Sequence, residues 1–370
     1  MEKTESIEEL VFSAYFLPDG ALKITLLERA VALADQSNDV ELGFDIRMDL
    51  IHTACFANRP DLLLVHFSWC LAKFDENPEA FDGWDLLWRY KWVISNVEAF
   101  PEISLKKIES LYADISRRFE AFGNGQRAIW LNRMMFAMHR GCLDEAVEAQ
   151  KAFQACKRDE LSDCKACECD DNMTLHLARK EYDLALKTAR PILNGKLSCK
   201  TVPQRSYNKL VSYLILDPNP KLKTLAEDVH VKGKALIRGS DHLERMDGHL
   251  MYLAFTSRIA DAMKLFNRTN QLGLSYVSLV DRFYYLRSSL FLMERVAIEK
   301  SRSRPKLHAH HELAKLPARD ILPAFTDKLR EELRDVANQF DKRNGTKAFA
   351  SLIDEIREWH EAANRYRESG

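Results

Sequence analysis

Paired amphipathic segments recur along this chain about every 40 residues, a spacing that belongs to stacked-helix arrays. Three copies show it best. Gly141-Cys142-Leu143-Asp144-Glu145-Ala146 is followed by Phe153, Glu181-Tyr182-Asp183-Leu184-Ala185 by Ala189, and Ser257-Arg258-Ile259-Ala260-Asp261-Ala262 by Phe266. A weaker copy lies at Lys221–Ala226, with looser ones near Leu63 and Leu105. One such unit cannot bury its apolar face alone. Stacking on its neighbours does so, and the period therefore constrains the whole fold.

The stripes within the copies have helical spacing. Leu143, Ala146, Val147, Gln150 and Phe153 share one side, as do Ile103, Ile108, Leu111, Tyr112 and Ile115. Ile321, Leu322, Phe325, Leu329, Leu333, Val336 and Phe340 make a longer stripe, and strand-like alternation is nowhere sustained. With 13 Gly and 11 Pro in 370 residues, the chain is poor in the turn residues a β-rich fold needs. Breaks are expected at Arg59-Pro60-Asp61, Gly123-Asn124-Gly125, Asn194-Gly195 and Gly239-Ser240, with Asp241 the expected cap of the next helix. About 14 to 17 helices joined by short turns are expected, with neighbours antiparallel. The length exceeds one compact core. The expected organisation is a helical array over 1–300, a basic linker over 301–319 and a C-terminal helix pair over 320–370.

Trp130, Gly141, Leu143 and Ala146, with Tyr182 and Ala185 and with Ile259, Ala262 and Phe266, follow the layout of the tetratricopeptide repeat. The chain from about 60 to 280 resembles that family, with a period longer than its ~34 residues and with Pro191 inside a second helix. The resemblance implies an all-α, TPR-like right-handed α-solenoid of antiparallel helix pairs, here closed by a C-terminal helical hairpin. It also implies a non-enzymatic scaffold that binds a partner protein or peptide in its concave groove. The segment from Arg158 through Cys167, with Leu197–Pro203, is similar to bacterial TPR-containing proteins, which implies a bacterial source. Arg127, Asn132, Arg133, Arg205, Asn208 and Lys209, on the first helices of successive pairs, are expected to be exposed and to contact the partner.

Cys164-x-x-Cys167-x-Cys169, with Cys199 further on, has the donor chemistry of a structural zinc site. A hairpin over 171–195 would bring Cys199 back to Cys164 and Cys167, with Cys169, His176 or Asp163 as a fourth ligand. A regulatory disulfide, or free thiols packed as small apolar side chains, are the competing readings. His308, His310 and His311 form a second imidazole-rich candidate.

Trp84, Trp88 and Trp92 line one helix face, as core between repeats or as an aromatic groove. Residues 1–99 are rich in acid and 190–238 in base. The basic stretch, including Lys196, Lys200, Lys221, Lys223, Lys232, Lys234 and Arg238, offers a nucleic-acid face as a further reading, without a recognised reader motif. A sensor that closes on a small peptide or ligand is the other alternative to a scaffold. No phosphate loop, dinucleotide fingerprint, G-x-S-x-G or H-E-x-x-H motif occurs, so no enzyme activity is expected. No apolar run is long enough for a membrane span, and the charged start lacks a secretory pattern, so a cytoplasmic location is expected.

Overall fold

The computed structural model describes residues 6–237, 246–307 and 312–368. The break at Gly239-Ser240, the Asp241 cap, Arg238 and the three histidines at 308–311 lie outside them. Among the described residues every regular element is helical: 17 α-helices and two short 3-10 turns. Among the described residues no helix is long and apolar enough to cross a membrane.

Two compact units divide the chain. One comprises 1–132 and 153–162, the other 133–152 and 163–370. In the first, α1 (Ile7–Tyr15), α2 (Ala21–Gln36), α3 (Val40–Phe56), α4 (Pro60–Glu76), α5 (Gly83–Val97) and α6 (Leu105–Phe122) each pack on the next. The starts are fixed locally. Ser6 and Glu9 form a capping box, and Asp39, Asp82 and Ser104 accept hydrogen bonds from the first-turn amides of α3, α5 and α6. Leu10, Leu27, Ala30, Ala34 and Leu50 fill the core near the start.

The tryptophan stripe lies on α5. Trp84 is 37% exposed and stacks on Trp88 with centroids 5.5 Å apart. Lys91 sits over Trp88 at 3.5 Å and donates to the Leu161 carbonyl. Trp92 meets the edges of His52 and Phe56. The stripe is half-buried rather than wholly core.

α7 (Gln126–His139) and α8 (Leu143–Ala155) run through the boundary between units. The second unit continues with α9 (Lys165–Ala178), α10 (Tyr182–Leu193), α11 (Gln204–Leu214) and α12 (Pro220–Leu236). Then come α13 (Asp247–Phe255), α14 (Ile259–Gly273), α15 (Leu279–Ile298), α16 (Ala318–Asn344) and α17 (Ala348–Glu368). α9, α11, α13 and α15 pack on one another in order, with α10, α12 and α14 beside them. No residue of α11 is exposed, whereas Leu184 of α10 and Val231 of α12 are.

The repeat has a concrete structural signature. Gly141, Lys180 and Ser257 all take left-handed backbone, with φ of 73°, 60° and 58°. The next amide in each case, from Cys142, Glu181 or Arg258, bonds the carbonyl five residues back at 2.9 Å. This is a Schellman stop. A new helix starts at the following residue, and the alanine in its first turn, Ala146, Ala185 or Ala262, has 0% exposure. Asn38 and Asn58 repeat the same stop in the first unit, and five residues after Asn58 stands Leu63, also at 0%. Where that position is alanine, its small side chain lets the second helix close on the first.

The C-terminal pair, α16 and α17, shares the core of α13 and α15 instead of standing apart as a separate domain. Phe349, Trp359 and Tyr366 of α17 meet Phe283, Phe291 and Phe255, with centroids 4.9, 5.5 and 5.7 Å apart. Ala348, at the start of α17, lies so close to Gly141 that a Cβ there would come within 2.6 Å of its own. Tyr366, near the other end, also carries Lys223 of α12 over its ring at 4.6 Å. α17 therefore spans several of the turns that join helix pairs. The expected linker is also tied down: Asn267 and Asn270 of α14 hold the backbone of Arg304 and Lys306.

Candidate metal centre

Cys164 is the N-cap of α9. Its Sγ accepts from the Cys167 amide at 3.3 Å, so the C-x-x-C pair sits on the positive end of a helix, where thiolate is favoured. The Schellman stop at Lys180 turns α10 back along α9, and Gly195 ends α10 with φ 70°. The connection that follows is closed by the Cys199 amide donating to the Val202 carbonyl at 2.9 Å. Val202, with 0% exposure, packs with Ala166 and Ile192, seating Cys199 beside Cys167. The out-and-back hairpin expected from the sequence thus does what the zinc reading needs.

The three sulfurs of Cys164, Cys167 and Cys199 all lie within 4.8 Å of one another, and Cys167 and Cys199 are 3.7 Å apart. A tetrahedral zinc with Zn–S bonds of ~2.3 Å separates its sulfurs by ~3.8 Å. A disulfide brings them to ~2.05 Å. The Cys167–Cys199 distance therefore already matches a tetrahedral edge.

Cys169 corrects the expected ligand set. Its Sγ donates to the Thr188 carbonyl at 3.0 Å and does not join the group, because on a helix it points away from Cys167. His176 is held by Glu181 at 2.8 Å. Among the described residues the donor group has three members, with Cys164 on its exposed side.

The Cys199 thiol is driven well below its ordinary range, first because it accepts from Cys167 and then because the Thr201 and Val202 amides and the Thr201 hydroxyl point at it. Cys167 moves the other way, as donor of that bond and through burial, with the Arg205 charge opposing the shift. The first proton leaves from Cys199. A cation that replaces the proton on Cys167 removes the reason for that thiol's reluctance.

Behind the thiols lies a buried charge network that the sequence reading missed. Asp170 has 0% exposure, with Arg205 Nε at 2.6 Å, Lys209 Nζ at 2.9 Å and the Ser206 hydroxyl at 2.6 Å. Burial opposes its charge, but Arg205, Lys209 and Ser206 more than compensate, and its carboxyl stays far below the usual carboxylate range. Arg205 also pairs with Asp171 at 2.9 Å, which fixes α11 against α9 just behind Cys167. The adjacent Asp170-Asp171 pair, just before the apolar Met173, Leu175 and Leu177 of the same helix, was the available signal.

The residues expected to be exposed for a partner are placed differently. Arg127 lies over Phe153 at 3.9 Å and donates to the Phe153 and Cys156 carbonyls. Asn132 is 9% exposed and donates to Ala128. Asn208, 8% exposed, bridges to Asp247 and the Gly248 amide. Arg205 and Lys209 are spent on Asp170, and Arg133 is half-buried on α7. These side chains bond within the chain because polar groups between packed helices must find partners there.

Comparison with protein-family models, with curated proteins and with solved structures finds no match to this chain.

Proposed function

We propose that this chain is a TPR-like helical-repeat scaffold, a right-handed solenoid that holds a protein or peptide partner against its first-of-pair helices. A zinc ion on Cys164, Cys167 and Cys199 stiffens the array in this reading. The observation that carries it is the recurring unit of left-handed stop, short turn and buried alanine at 141–146, 180–185 and 257–262. Identical turns impose similar rotations between successive pairs, and such rotation is what makes a concave surface in repeat proteins.

The surface in this reading is the half-buried face of α9 and α11, with Asn172 and His176, one turn apart, on one helix and Ser212 and Tyr213 on the other. A preformed face loses little ordering entropy on binding. Zinc bound by three cysteines would tie the start of α9 to the α10–α11 connection, and its fourth position would take water or a group from the partner.

The test is affinity purification from the native cell followed by hydrogen exchange on the purified complex. A stoichiometric partner that protects α9 and α11 supports the reading, and Ser212→Arg, whose hydroxyl bonds only its own helix, should then release it. Protection confined to the outer helices α10 and α12, or a partner unaffected by Ser212→Arg, overturns it.

A further inference from the structure

We propose that the cleft between α14 and residues 303–306 binds a small, multiply phosphorylated anion. Ala260, Met263, Lys264, Asn267 and Arg268 form one face of α14 and one wall of this cleft; Ser303, Arg304 and Lys306 form the other. Its volume is about 490 Å³, the size of a small-molecule site.

The cleft is built by specific contacts. The Lys306 amide donates to Asn267 Oδ1 at 2.6 Å, and the Asn270 amide group donates to the Lys306 carbonyl at 2.8 Å. Pro305 between them is buried, so Arg304 and Lys306 on either side of it turn outward. Arg304 is steadied by donating to the Ser301 and Ser303 carbonyls, both at 2.8 Å. Lys264 and Arg268, one helical turn apart, face them from α14.

Four cations thus share one cleft, and among the described residues none of them has a carboxylate in salt-bridge range. The nearest acids along the chain are committed elsewhere: Asp261 faces Arg258, and Glu299 holds Arg295. Like charges held together repel, and a bound polyanion removes that cost. Arginine and lysine with a serine hydroxyl are the donor set for phosphate oxygens. No aromatic side chain lines the cleft, so it offers no stacking surface for bases, which favours a compact phosphate chain over a nucleic-acid strand.

The test uses sodium tripolyphosphate and isothermal titration at low salt, with inorganic phosphate and a short single-stranded oligonucleotide as comparison ligands. Tripolyphosphate should bind at least ~tenfold more tightly than inorganic phosphate, and Arg268→Gln with Arg304→Gln should weaken it at least ~tenfold. Both positions are exposed, and circular dichroism confirms that the double variant folds. Lys187→Gln, exposed on α10, should leave the affinity unchanged. Equal affinity in the wild type and the double variant, or no binding of tripolyphosphate, overturns the proposal. An oligonucleotide that binds through the same cations and is not displaced by tripolyphosphate also overturns it, in favour of nucleic acid.

Discussion

The Nδ1 atoms of His230 and His249 lie 3.2 Å apart, with both rings buried. Two neutral imidazoles in this arrangement share one proton, so one ring is the Nδ1–H tautomer and the other Nε2–H. Burial lowers the pKa of His230 to about 4 and that of His249 to about 3; Arg258 and Lys234 push the same way at His230, where Glu227 and Asp261 oppose them, and the His230 charge and Lys234 do so at His249. The folded state therefore binds fewer protons than the unfolded one between pH 6.5 and about 4. Stability is fully present above 6.5 and is lost as pH falls through that window. Urea unfolding should show a loss of about 3 kcal/mol or more from pH 7 to 4.5, at ~1.4 kcal/mol per shifted unit. In His230→Gln the dependence between pH 6 and 5 should be shallower by about 1 kcal/mol per unit.

Protein purified without chelator should carry one zinc per chain, measured by mass spectrometry of metals. Cys164→Ser, Cys167→Ser and Cys199→Ser should each lose it, and Cys169→Ser should keep it, because only the first three sulfurs converge. Metal-free wild-type protein, or zinc that departs with Cys169, would sink the assignment. Chelation should lower the melting temperature of the wild type and leave that of Cys199→Ser unchanged.

The Schellman stops differ in residue but not in geometry, which makes an internal control. Lys180→Gly should stabilise by about 0.5 to 1 kcal/mol, since a Cβ in left-handed backbone costs ~1 to 2 kcal/mol and glycine's unfolded-state entropy offsets part of it; at Ser257 the gain is opposed by loss of the hydroxyl's bond to Glu299. Gly141→Ala should destabilise by about 1 to 3 kcal/mol, because it adds the same strain and a collision with Ala348. Denaturant midpoints read both signs.

These stops also explain what the sequence made legible. The buried alanines and the turn positions could be read directly, because a helix pair needs a small residue where its members close and a tolerant one where it reverses. The meeting of Cys164, Cys167 and Cys199 was legible for the same reason, since a hairpin's ends must come together. The departure of Cys169 was legible only once helical geometry replaced sequence spacing. The Asp170-Asp171 pair was visible but its partners were not: Arg205 and Lys209 come from the next pair, and nothing local marks them as internal rather than exposed. The placement of α17 was equally hidden, because its stripe of apolar residues says that it is covered and not by which helices.

Trp359 tests that placement. It is 5% exposed, between Phe291 and the Arg287 guanidinium 4.1 Å from its ring. Trp359→Ala should cost about 3 to 5 kcal/mol. Hydrogen exchange should rise in α13 and α15 together with α17. A rise confined to α17 would show that it merely rests on the array.

A row of helix pairs that touch only their neighbours can bend at every joint and lose its ends one pair at a time. A helix that reaches from Gly141 to Phe255 removes that freedom, as a spine removes it from a fan. Flexing any one joint in that span would disturb the contacts of α17 at the others. The second unit should therefore open in one step, and a visitor needing a wider berth would first have to lift its final helix.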